Sequence, residues 1–93
     1  MHKKKLRVAR NKVDQIDKKI FDLIKMRTEI VKYMLNLKKY KKQIVDRKRI
    51  DDIFKKIKNK SVRYGIDSKL TSRIWKSIIW GSIDFQKRKF KKK

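Results

Sequence analysis

Along the first part of the chain one seam advances at alternating steps of three and four, and apolar residues hold all of it except Arg27: Leu6, Ala9, Val13, Ile16, Ile20, Leu23, then Arg27, then Ile30, Met34 and Leu37. Such spacing puts them on one stripe of an α-helix. Neither Pro nor Gly interrupts the stripe, so it predicts a single helix over about residues 5–40, roughly 50 Å long. A compact chain of this length has a radius of gyration of only about 12 Å. The rest of the chain is too small to cover the helix, which is therefore expected to pack along a second copy of itself. A break is expected over 41–45. A second helix then starts at Asp46, a favourable N-cap residue, and turns Ile50, Ile53, Phe54 and Ile57 inward. Gly65 stands where a helix-ending glycine belongs. Asp67 or Ser68 caps a third helix whose apolar line is Leu70, Ile74, Trp75, Ile78, Ile79 and Phe85. No segment alternates with the period of a strand. The expected fold class is all-α, with three helices per chain, a long first one and two shorter. Residues 1–93 are expected to form one domain, with 1–5 and 87–93 as frayed basic tails.

Composition narrows the function classes. Thirty-two cations against nine acids leave a net charge of +23, which would suit a nucleic-acid binder. The competing reading is compositional: there are 24 Lys to 8 Arg, 13 Ile, one Ala and no Pro, and the lysines are spread along the chain as a solvated surface. Any nucleic-acid affinity is then expected to be non-specific. No cysteine is present, which removes disulfides and thiolate metal sites. The one histidine, His2, sits in a basic run and reads as a solvated residue. No apolar run approaches the ~18 residues of a membrane span, and no signal-peptide pattern opens the chain. The expected location is the cytoplasm.

Several polar residues stand where apolar ones belong. Arg27 occupies the stripe of the first helix, between Leu23 and Ile30. A charge there needs an anionic partner unless its stem merely snorkels to solvent. Lys38 follows 11 residues later, three turns plus about 20° on a continuous helix, and so shares the face of Arg27. Ser82 and Gln86 lie one turn apart on the apolar line of the third helix. Arg47, Lys48 and Arg49 fill the first turn of the second helix, where the helix dipole repels cations. Asp46 and Arg49 thus mark a helix end suited to an anion. With acids scarce, a ligand is the expected counter-charge. Arg, Lys, Ser and Gln without His, Cys or paired carboxylates provide no nucleophile and no metal cage. They suit binding a small dianion and stabilising negative charge.

Taken together, an Arg, then "IDKKIFDLIKMR", a Lys, "VDRKR" and "IIWGSIDFQ" resemble the all-α class of chorismate mutases over about residues 6 to 86. The 39–45 loop is about one residue short of the family pattern. The resemblance implies an isomerase of aromatic amino acid biosynthesis, the shikimate pathway's branch to phenylalanine and tyrosine. Its reaction is the Claisen rearrangement of chorismate to prephenate, which needs no cofactor and no metal. It further implies an intertwined homodimer and a site of Arg10, Arg27, Lys38, Asp46, Arg49, Ile50, Ser82 and Gln86. By resemblance, Arg10 and Arg27 grip the two carboxylates with help from Ser82, while Lys38 and Gln86 donate to the breaking ether oxygen. Arg49 and the Asp46 region complete the pocket near the ring hydroxyl. Arg10 stands 17 residues before Arg27, about 25 Å along a helix and about 100° around it, and in the resembled fold it reaches into the partner's site. One position departs: Ile50 replaces the family's usual Glu. Isochorismate pyruvate-lyases share the fold and carry an aliphatic residue there, so isochorismate or another chorismate-type substrate is the alternative reading.

Overall fold

The long apolar stripe does form one helix. A computed structural model describes residues 2–91, in which α1 runs His2–Asn36, α2 Arg47–Arg63 and α3 Ser68–Lys89, with a short 3₁₀ helix at Lys41–Ile44. No strand occurs among the described residues. Helix α1 begins at His2 and α3 continues through Lys89, so most of the residues expected as basic tails are helical. Met1, Lys92 and Lys93, also expected to fray, lie outside the described residues.

Helix α1 ends earlier than its apolar period implies. The N–H groups of Leu37 and Lys38 donate to the carbonyls of Met34 and Leu35, each at 3.1 Å. Those i→i−3 bonds tighten the last turn. The next two donors are taken away from the helix altogether: Gln43 Oε1 accepts from the N–H of Lys39 and of Tyr40, both at 2.8 Å. A side chain that captures these donors offers the backbone an alternative to another helical turn. The helical-wheel placement of Lys38 beside Arg27 therefore loses its basis, because Lys38 lies beyond the helix.

Contacts divide the chain within α1, giving one unit through Ile30 and a second from Val31 onward. The first unit is a length of single helix. Its stripe is exposed, as Leu6, Ile16 and Ile30 illustrate at 49%, 55% and 60% of their surface.

The second unit holds the core. Leu35, Ile44, Ile50, Ile79 and Ile83 are buried together, with Val45, Ile53, Phe54, Trp75 and Phe90 packed against them. Ile44 enters through the 3₁₀ helix, in the segment expected only as a break. Leu70 and Ile74, expected on the inner line of α3, are exposed. Local chemistry sets the ends of α2 and α3. Asp46 caps α2 by accepting from the Arg49 N–H at 3.0 Å, and Asp67 caps α3 by accepting from the Lys69 N–H at 2.9 Å. Gly65 has φ +67, the left-handed conformation that suits glycine. The Ile66 N–H donates to Ser61 O at 2.8 Å and the Gly65 N–H to Val62 O at 3.3 Å, the paired bonds of a Schellman turn. Ser61 Oγ and Thr71 Oγ1, 2.7 Å apart, tie the two helices beside that turn.

Ile50 is 7% exposed in this cluster. Its replacement by Val is expected to cost about 0.5–1.5 kcal/mol, and by Ala about 2–5 kcal/mol. Ile50→Glu restores the family's usual residue but brings a carboxylate toward hydrocarbon, so a stability loss is expected to oppose any gain in turnover. Denaturant melts of the three variants, read beside their kinetics, check this order. A glutamate variant as stable as the native chain would mean that the Ile50 position opens to water.

Candidate active site

Three of the residues marked by sequence come together at the C-terminal half of α3. Lys38 extends from the turn after α1 and its Nζ donates to Gln86 Oε1 at 2.9 Å. Gln86 Nε2 in turn donates to Ser82 Oγ at 3.3 Å. Ser82 and Gln86 are four residues apart and therefore stacked on one face of the helix. Gln86 is buried, Ser82 and Lys38 are half-buried. The chain of bonds has a direction. An ammonium has only protons to give, so it faces the amide oxygen, and the amide is left with its N–H groups as donors on the other side. Lys38 keeps two further protons for another acceptor.

Burial lowers the Lys38 pKa from the ordinary lysine value, and the charge of Asp46 acts in the opposite direction. Desolvation is the larger influence, because it penalises the charged form of an amine. Lys38 is thus a partly desolvated cation whose acceptor in the protein is Gln86 Oε1.

The start of α2 has partners of its own. The Asp46 carboxylate takes the Arg49 N–H, so this helix end is not a bare set of donors. The Arg47 guanidinium lies 5.5 Å from the centre of the Trp80 ring on α3, a cation–π distance. The expectation that all three first-turn cations await an outside anion is therefore corrected for Arg47. The side chains of Lys48 and Arg49 are exposed. Ile50, in the next turn, points into the apolar cluster. Arg10 and Arg27 belong to the unit that ends at Ile30; Arg10 is exposed and Arg27 half-buried.

A concavity of about 850 Å³ lies elsewhere on the second unit, between α2 and the first turns of α3, with Phe54, Ile57, Leu70 and Arg73 among its walls. None of the eight residues marked by sequence lines it. Among the described residues there is no group of three His, Asp or Glu side chains placed to hold a metal ion. No helix among them is long and apolar enough to cross a membrane.

Sequence reasoning missed two residues that shape this region. Gln43 holds the turn that carries Lys38, and its signal was present: a Gln at the third position of a short helix, reaching back to the N–H groups at its start, as in a capping box. Ile83 is buried in the apolar core and was not placed on the inner line.

No curated protein and no solved structure matches the chain. The family model described as chorismate mutase type II matches residues 9–87, a span that includes all eight marked residues. Described residues that are helical without a strand, with a part-buried Lys–Gln–Ser hydrogen-bond chain, agree with that match, and the chain belongs to the chorismate mutase type II family, isomerases that act on chorismate.

Proposed function

We propose that Lys38, Gln86 and Ser82 form the reacting end of a chorismate pocket, and that two chains build an intertwined dimer whose two pockets are each completed by Arg10 of the partner subunit. The observation that carries this reading is the Lys38–Gln86 hydrogen bond, which sets two donors side by side across a sequence separation of 48 residues.

The rearrangement to prephenate breaks one C–O bond and forms one C–C bond within a single molecule. No proton moves and no covalent intermediate forms. Catalysis then consists of holding a compact conformer and stabilising the charge that builds on the ether oxygen. Lys38 donates to that oxygen with a proton not used by Gln86. Gln86 Nε2 donates to it as well, exchanging its long bond to Ser82 for the substrate. Ser82, released, turns its hydroxyl toward a carboxylate. Arg27 and the partner subunit's Arg10 hold the two carboxylates, while Arg49 and Asp46 bound the ring hydroxyl. Ile50, turned into the apolar cluster, leaves that hydroxyl without the hydrogen bond that the family's usual Glu would accept.

Two features support the dimer. The stripe of α1 exposes Leu6, Val13, Ile16, Ile20 and Leu23, and an exposed contiguous apolar stripe is the kind of surface that protein–protein contacts cover. Arg10 and Arg27, about 25 Å apart along one straight helix, fit two pockets better than one. A pocket shared between chains is also open in either chain alone.

Purified protein incubated with chorismate, followed by chromatography of prephenate, tests the reaction, and sedimentation tests the dimer. Turnover of isochorismate in place of chorismate would overturn the substrate assignment. A fully active monomer would overturn the shared pocket.

The pH profile probes Lys38 itself. Rising pH removes the ammonium proton and with it the donor. Because burial lowers the Lys38 pKa, the alkaline limb of kcat/KM, which reports the free enzyme, is expected below the ordinary lysine range. Lys38→Arg keeps a cation that does not titrate in that range, so the limb should vanish whatever the residual rate. A limb unchanged in the arginine variant would assign it to another group.

A further inference from the structure

We infer that Gln43 is a positioning residue for Lys38: its side-chain carbonyl holds the two peptide N–H groups that follow Lys38 and so directs the lysine toward Gln86. The inference rests on the catalytic role proposed for Lys38. The backbone on both sides of Lys38 is tied. Before it, the Lys38 N–H donates to Leu35 O. After it, the Lys39 and Tyr40 N–H groups donate to Gln43 Oε1 at 2.8 Å each. The Gln43 N–H returns a bond to Tyr40 O at 3.0 Å, which closes the turn from both directions. Leu35 and Ile44, which flank the segment, are both buried in the core, so the turn hangs between two anchored points.

Gln43 itself is exposed. Its loss leaves no cavity, and the freed N–H groups turn to water. What changes is the position of the Lys38 backbone. A lysine side chain is long and flexible, so a displaced backbone lets the ammonium find solvent in place of the Gln86 oxygen. Desolvation of Lys38 would then relax as well. Near-attack geometry is sensitive to such movement, with an ångström of misplacement able to cost about a hundredfold in rate.

The test uses the full chain in three variants. Gln43→Met keeps the length of the side chain and removes the acceptor; Gln43→Glu keeps an acceptor at the same reach; Lys38→Ala reports the lysine. The expected result is a kcat about tenfold lower in the methionine variant, with KM changed by about twofold or less because the lost interaction belongs to the transition state. The glutamate variant should recover most of the loss. Titration of the Lys38 side chain by NMR with ¹³C-labelled lysine should show its pKa moving up toward the ordinary value in Gln43→Met and not in the native chain. The inference is overturned if Gln43→Met keeps native kcat while Lys38→Ala loses it, if the Lys38 titration is unmoved, or if Gln43→Glu is as impaired as Gln43→Met. Full activity of Lys38→Ala would instead overturn the role of the lysine, and the inference with it.

Discussion

Gln86→Glu is expected to lose turnover by about 10²–10³-fold at neutral pH, the range seen when one donor to a developing oxyanion is removed, and to regain it as pH falls. The native amide accepts from Lys38 through Oε1 and keeps Nε2–H as a donor. A carboxylate in its place accepts on both oxygens and donates on neither. It repels the charge growing on the ether oxygen, and it competes for the Lys38 ammonium, so two donors are compromised by one substitution. Protonation of the carboxyl returns an O–H donor. Burial raises the pKa of the substituted carboxyl and the neighbouring ammonium lowers it, so the position of the limb measures which influence is greater. Lys38 stays protonated throughout the acid range, which assigns the limb to the new carboxyl. Steady-state kcat against pH, for the native chain and the variant, is the measurement. A flat profile in the variant would place residue 86 away from the reacting oxygen.

Arg10→Ala and Lys38→Ala are each expected to abolish most activity as homodimers, and a refolded mixture of the two is expected to recover about a quarter of it. Every pocket in either homodimer lacks one group. In a mixed dimer the lesions segregate: one pocket takes its Lys38 from the Arg10→Ala chain and its Arg10 from the Lys38→Ala chain, and is intact. The other pocket carries both lesions. Random pairing of equal amounts makes half the dimers mixed, each with one working site of two, so about one quarter of the sites are whole; the fraction follows from the two-fold symmetry of a dimer whose chains exchange freely. Co-refolding the variants and assaying them against separately refolded controls reads it directly. Mixed dimers confirmed by mass but without recovered activity would place Arg10 in the pocket of its own chain.

These tests concern residues that differ in how visible they were in the sequence. The ends of α2 and α3 were legible because Asp46, Gly65 and Asp67 act on backbone groups two or three residues away. Their chemistry is local, and a linear reading contains it. The apolar period of α1 likewise identified a helix too long for the chain to cover. Its end was not legible. Leu37 fits the period, and what stops the helix is the side chain of Gln43, which captures the next donors from a turn not yet formed in a linear reading.

The sequence by itself determined three helices, most of their caps, an uncovered apolar stripe and the residue types of a dianion site. Each of these follows from spacing along one chain or from bonds within a few residues. Ile50 and Ile79 stood on the expected apolar lines, but tertiary structure alone added Leu35, Ile44 and Ile83 to that core and left Leu70 and Ile74 out of it, because burial depends on which faces of separate elements meet. It also decided that Arg47 lies over Trp80, giving one first-turn cation an internal partner. Above all it placed Lys38 Nζ against Gln86 Oε1. No period connects those two residues. Their contact depends on a turn that Gln43 holds and on a core that packs the 3₁₀ helix against α3, and only the folded chain brings both conditions about.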